Sequence, residues 1–247
     1  MGYNKQAIID RYTKYLDKMC KELDFYQPFY EAYDAEDIYG GWDKSYEMED
    51  DGCWFANGCT RFVMGDDYCD YVIKFQRNFD NIDYGAIECG VYRDAVAAGY
   101  ADKFVWCDHL MDYEVPGEED EVIKVYVYKY AQCSYDMISN DSCDYHFHSY
   151  CEQKGLDCNS DEARDEYYEH DGDYTSTRAM LEFAENFWRM KREDLVAFVN
   201  FLSEHHVNDL HCGNWGYDND MLVLTDYAGY GEFGERSDIK SVCGYWQ

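Results

Sequence analysis

The chain has 247 residues, with 52 acidic against 21 basic side chains and a formal net charge of −31, and is long enough for one large domain or two lobes with a real core. So acidic a surface repels nucleic acid and anionic lipid and favours basic partners or divalent ions. It can also imitate the phosphate array of DNA, which carries one negative charge per ~1.7 Å of duplex axis; plain solubility is the alternative reading of the charge.

An aromatic content of 19% points to burial rather than disorder. No apolar stretch approaches the ~20 residues a membrane span needs. The twelve cysteines follow no charged-then-apolar leader and read as mostly reduced thiols of a cytoplasmic protein.

From Asn4 to Leu23, Ile8, Tyr12, Tyr15, Leu16, Met19 and Leu23 recur at three- and four-residue steps. That spacing predicts an amphipathic helix packed on the first lobe. Asp24 to Asp51 is aromatic and acidic, punctuated by Pro28 and Gly40-Gly41, and reads as irregular with short helical pieces. From Cys53 to Phe75 the pattern becomes strand, turn, strand: WFANGCTRFVM, GDDYCD, YVIKF. Gly65, Asp66 and Asp67 supply the turn chemistry. The second strand carries Lys74, sixteen residues after Gly58; a lysine in an apolar strand is, taken alone, an edge residue that snorkels.

Tyr84 to Gly99 reads as a helix whose inward stripe is Ile87, Val91, Ala95 and Ala98, with Glu88 near its start. Phe104 to Trp106 and the alternating Val122 to Tyr130 read as strands. Glu114 to Glu121, with Pro116-Gly117, is a solvated hairpin loop between them. Ser139 to Tyr174 is rich in Asp, Cys and His and contains CDYHFHSYC. Cys143, His146, His148 and Cys151 are ligand types that Zn²⁺ accepts. Their spacing matches no common finger, and the expectation is a solvated acidic insert or cap. Ser176 caps a helix lined by Leu181, Ala184, Phe187 and Trp188. A second helix, Asp194 to His205, with Leu195, Phe198, Val199 and Leu202 inward, empties into DLHCGN.

That loop holds Asp209 and Asn214 five residues apart. Asp226 follows twelve residues later, at the end of a short buried strand, Met221 to Leu224. One Asp and one Asn, with phosphate oxygens completing the shell, suit Mg²⁺, a hard ion. A second Asp held close by can orient a hydroxyl or take its proton during phosphoryl transfer. Read blandly, Asp209 and Asn214 cap a turn and Asp226 ends a strand.

DLHCGNWG followed by LVLTDYAG resembles the protein-kinase-like superfamily, in particular the short kinase-like proteins of tailed bacteriophages and the aminoglycoside and choline kinase branch. The resemblance implies an α+β, two-lobed kinase-like fold: an acidic helical extension (1–51), a β-rich N-lobe (52–133), the Cys/His insert (134–175) and a truncated, mainly helical C-lobe (176–247). It implies ATP and Mg²⁺ as cofactors. Asp209 would be the catalytic base and Asn214 and Asp226 the metal ligands. Gly58 would lie in a reduced glycine loop, with Lys74 on the α- and β-phosphates and Glu88 as its partner. Tyr130 to Cys133 would be the hinge beside the adenine.

Three departures stand out. Val207-Asn208 replaces the His-Arg pair before the catalytic Asp, which removes control by an Arg-bound activation-loop phosphate. Asp226-Tyr227-Ala228-Gly229 replaces Asp-Phe-Gly, and only twenty-one residues follow Asp226. The functions implied are a phage-type phosphotransferase on an acceptor of unstated identity, a kinase-fold binding protein, or a pseudokinase scaffold. In the second, the acidic surface mimics nucleic acid and blocks a basic, nucleic-acid-handling host protein such as a restriction or CRISPR nuclease. None of the three calls for direct nucleic-acid or membrane binding, and a phage-encoded protein would act in the host cytoplasm.

Overall fold

The structure is a computed structural model that describes residues 3–22, 52–57, 61–76, 82–117, 121–170 and 176–229. The chain divides into two compact units, Met1–Arg93 with Trp106–Tyr130, and Asp94–Val105 with Ala131–Gln247. Helices and antiparallel sheet make it an α+β fold.

The first unit is built on a five-stranded antiparallel sheet in the order β1-β2-β3-β5-β4, with β1 Cys53–Asn57, β2 Arg61–Asp66, β3 Tyr71–Gln76, β4 Cys107–Glu114 and β5 Val122–Lys129. Alternation along the strands gives this sheet two unlike faces. Phe62, Met64, Ile73, Phe75, Val125 and Val127 lie on one, sealed by Ile8, Tyr12, Tyr15, Leu16 and Met19 of α1 (Lys5–Asp17) and its π-helical extension Lys18–Glu22. Asn4 caps α1, its side chain accepting the Ala7 N–H at 3.2 Å. The other face presents Arg61, Lys74, Tyr126 and Tyr128 to α2 (Tyr84–Ala98).

Several expectations change here. The stretch WFANGCTRFVM forms two strands, not one, so Gly65 lies inside β2 and the chain reverses over 67–70. The reason is the Trp54↔Gly65 pair: a Cβ at Gly65 would stand 2.0 Å from the Trp54 ring, so the glycine makes room for a cross-strand indole. Gly58 lies outside the described residues, as does the region Asp24 to Asp51.

On α2 the inward side is Tyr84, Glu88, Val91 and Ala95, whereas Ile87 is 37% exposed and Ala98 faces solvent. Val91 and Ala95 keep their expected inward places, and Glu88 takes that of Ile87 because it finds a cation in the sheet. Phe104 to Trp106 is not a strand of this sheet. Phe104 makes a single parallel bridge to Leu224 in the second unit, and β4 begins at Cys107.

The second unit is mainly helical: α3 Tyr135–Lys154, α4 Asp161–His170, α5 Thr177–Phe187 and α6 Arg192–Glu204, followed by the hairpin of β6 Trp215–Asp218 and β7 Met221–Leu224. The stretch expected as a solvated acidic insert or cap contains the α3/α4 pair, which has a small core of Phe147, Cys151, Ala163 and Tyr167. Ser134 caps α3 and Ser176 caps α5, each side chain accepting an N–H three residues on. Asn219 and Asp220 take φ of 49° and 63°, the left-handed pair that a tight two-residue hairpin turn requires. Leu195, Phe198, Val199 and Leu202 of α6 are buried, and Phe104, Phe198, Phe201 and Tyr227 pack ring to ring. No helix among the described residues is long and apolar enough to cross a membrane.

On the apolar face of the sheet one carboxylate ties α1 down. Burial pushes Asp66 up, but the Tyr15 hydroxyl, the Tyr68 N–H and the Arg11 guanidinium together hold it below the ordinary range. A depressed folded value contributes stability above the unfolded pKa of about 3.9 that is lost as pH falls through the folded value. Asp66→Asn therefore lowers stability near pH 7 by roughly 1–3 kcal/mol, as for a hydrogen bond to a charged group. In urea melts across pH, the gap between variant and wild type narrows below about pH 4.

Candidate functional site

Each unit gathers one cluster of the residues singled out above. In the first, Lys74 on β3 and Arg61 on β2 share the polar face, because Val63 pairs with Lys74 and Arg61 with Gln76. Glu88 reaches this face from the first turns of α2. Its Oε1 accepts from Arg61 Nη2 at 2.9 Å, and its Oε2 accepts from Arg61 Nη1 and, at 2.6 Å, from the Tyr128 hydroxyl. Arg61 Nη1 also donates to the Tyr128 oxygen at 3.2 Å.

Lys74 Nζ stands 3.9 Å from Glu88 Oε2 and 4.4 Å from the centroid of the Tyr128 ring. Relative exposures of 4% for Arg61, 0% for Glu88 and 7% for Lys74 place the whole network out of water. The Lys74–Glu88 pair thus exists, but the bidentate fork on the carboxylate belongs to Arg61. Arg61 and Tyr128 are the residues that sequence reasoning missed. The signal for Arg61 was its register: an arginine inside an otherwise apolar strand, on the same face as the lysine of the next.

In the second unit the loop after α6 is anchored by buried Val207, Leu210 and Cys212, and the Trp215 indole donates to the Leu210 carbonyl at 2.9 Å. Residues 212–214 make a 3-10 turn whose start is capped by His211. Its Nδ1 accepts the Gly213 N–H at 3.1 Å, and Nε2 lies 3.7 Å from Asp209 Oδ1. Asn214 is the hub. Its Nδ2 donates to the Asp209 carbonyl at 2.8 Å, and its own carbonyl accepts from Thr225 N at 2.9 Å and Asp226 N at 3.4 Å. Asp209, Asn214 and Asp226 are thereby brought together.

Behind them Tyr227 donates to the Val105 carbonyl at 2.7 Å. Gly229, at φ 70°, lies so close to the His206 carbonyl that a Cβ would come within 2.3 Å of that oxygen. Burial raises the Asp209 carboxyl and the Asp226 charge adds to this, against lowering by His211 and the Asn214 side chain.

The donor set suits a hard cation. Asn214 commits its amide nitrogen to Asp209, which leaves its acceptor oxygen turned away from that carbonyl, and Asp226 adds a carboxylate. Among the described residues no group of three or more His, Cys, Asp or Glu is placed to hold a metal. An ion here would need oxygens from a ligand or water as well. Cys143, His146, His148 and Cys151 lie along the single helix α3. His146 Nε2 is hydrogen-bonded to the Ala179 carbonyl at 3.0 Å, and Cys151 is packed in the α3/α4 core. Around the expected hinge, the N–H of Tyr130 is bonded to the Asp70 carbonyl and that of Gln132 to the Tyr217 carbonyl.

The two clusters differ in what they do for stability. Glu88 is a buried, paired charge, so Glu88→Gln costs about 3–5 kcal/mol in urea unfolding, the penalty for stranding its partners. Asp209 has a raised carboxyl. Its proton is held more tightly folded than unfolded, so the stabilisation is complete below about pH 3.9 and is lost as pH rises through the folded value. Asp209→Asn accordingly melts at the same temperature as wild type near pH 7, or higher. Gly229→Ala lowers the melting temperature, because both the backbone angle and the His206 carbonyl oppose a side chain.

No protein-family model matches the chain, and no curated protein matches it. Among solved structures it is similar to spectinomycin phosphotransferase APH(9)-Ia, determined in complex with ADP and spectinomycin, at 12% identity and a TM-score of 0.29. The alignment covers 70% of this chain and 62% of that one, less than two thirds of the enzyme's length.

Proposed function

We propose that the protein is a Mg-ATP-dependent phosphotransferase of the phage-type, kinase-like kind. The observation that carries this reading is the convergence of Asp209, Asn214 and Asp226 through the bonds of Asn214 to the Asp209 carbonyl and to the Thr225 and Asp226 amides. Asn214 and Asp226 would hold Mg²⁺, which when bound neutralises charge on phosphate oxygens. Asp209, with a carboxyl made more basic than usual by burial, positions the acceptor hydroxyl and takes its proton. Lys74, with Glu88, meets the nucleotide phosphates, and Gly58 lies in the loop that covers them. The protein's contribution to rate is orientation and preorganised charge.

The net charge of −31 favours a second reading, in which the kinase-like chain is a binder whose acidic surface occupies the nucleic-acid site of a basic host defence nuclease. In that case inhibition of such a nuclease falls steeply with added salt and survives loss of Asp209 and Asp226. A pseudokinase scaffold would show neither turnover nor that inhibition.

Thermal melts with and without Mg-ATP separate the readings. Ligand at 100 times its dissociation constant adds ~2.7 kcal/mol to a protein that binds it only when folded. Wild type and Asp209→Asn should both be stabilised, with turnover lost only in the second, whereas Asp226→Asn should lose the Mg-dependent part of the shift. Absence of any shift at millimolar Mg-ATP would remove the enzyme reading.

A further inference from the structure

We propose that Arg61 is a positioning residue for Lys74: it fixes the Glu88 carboxylate and the Tyr128 phenol, and these two groups together set where the lysine ammonium stands. The inference rests on the reading that Lys74 meets nucleotide phosphates only for its functional consequence; the positioning itself is a property of the first unit. Glu88 does not grip the lysine directly. At 3.9 Å the Lys74–Oε2 separation is that of an ion pair without a close hydrogen bond, while the same oxygen accepts from Arg61 Nη1 and from Tyr128 at 2.6 Å.

The second restraint on Lys74 is the face of the Tyr128 ring, 4.4 Å from Nζ. That ring is itself pinned, because its hydroxyl donates to Glu88 and accepts from Arg61 at 3.2 Å. Arg61 is therefore common to these two contacts of Lys74.

Chemistry explains why this position takes arginine. A guanidinium offers two parallel donors to one carboxylate and a further contact to the phenol, in a plane fixed by its own bonding. An ammonium at position 61 could satisfy one carboxylate oxygen and would leave Glu88 free to turn toward Lys74. The two cations are thus not interchangeable: one orients the carboxylate, and the other is held at its edge and above the ring.

The test reads Lys74 directly. In the full chain the lysine side-chain methylenes next to Nζ, assigned by a Lys74→Arg control, should carry an upfield ring-current shift from Tyr128. The Mg-ATP dissociation constant is measured by calorimetry on the same samples. Arg61→Lys should abolish the upfield shift and weaken Mg-ATP binding about 10- to 100-fold, the scale of a misplaced contact group. Tyr128→Phe keeps the ring and the Arg61–Glu88 fork but cuts the ring's tie to Arg61 and Glu88, so it should reduce the shift without abolishing it; it carries the test alone if Arg61→Lys does not fold.

An unchanged Lys74 shift in Arg61→Lys or in Tyr128→Phe overturns the proposal, and so does a loss in Tyr128→Phe as complete as in Arg61→Lys, which would give the role to the phenol alone. If Arg61→Lys loses the shift but wild type itself does not bind Mg-ATP, positioning by Arg61 stands and the phosphotransferase reading falls.

Discussion

The burial of one carboxylate, Glu88, governs the first unit. A carboxylate taken out of water is strongly unfavourable unless it is paired and its remaining lone pairs are satisfied. Here a guanidinium, a phenol and an ammonium converge on it from three strands, Arg61 from β2, Lys74 from β3 and Tyr128 from β5. The helix that carries Glu88 must therefore lie against these strands at one register. The same demand explains why a sheet whose other face is mostly apolar and sealed by α1 keeps a polar face. The apolar face supplies burial, and the polar one fixes a unique arrangement of side chains.

Among the described residues of the second unit no buried charge plays that part. A single amide does, and it works in two directions. Asn214 holds the backbone at Asp209 with its side chain and the backbone at Thr225 and Asp226 with its carbonyl, so two loops separated by the β6–β7 hairpin are joined at one residue. The hairpin is short because Asn219 and Asp220 adopt the left-handed conformation. The strand that returns carries Asp226 back beside Asn214. Behind it Gly229 passes against the His206 carbonyl, where no side chain fits. The approach of Asp209, Asn214 and Asp226 along the backbone is thus a consequence of loop closure, with the aromatic cluster of Phe104, Phe198, Phe201 and Tyr227 packed beside it.

The large negative charge belongs to a different layer of the molecule. Among the described residues the buried carboxylates are Asp66 and Glu88, and both are met by arginine and tyrosine. Exposed charges interact weakly and are screened within about 8 Å at physiological salt. The acidic exterior therefore bears on solubility and on the choice of partners. The packing is set by the aromatic and aliphatic interior.

By itself the sequence determined the elements with strong local signatures: the amphipathic α1, the capped start of α5, the inward stripe of α6, the short strand Met221–Leu224, and the spacing of Asp209, Asn214 and Asp226. Period and capping are local physics, and they survive into the fold. Only tertiary structure decided the rest. It divided the first strand between Asn57 and Arg61 and set Gly65 across from Trp54, drew Glu88 inward in place of Ile87, folded the Cys- and His-rich stretch into a helix pair, and assigned the fork on Glu88 to Arg61. Each of these depends on which residues from distant parts of the chain come to face one another. A polar side chain looks solvent-exposed in sequence until the fold supplies the partner that makes its burial favourable.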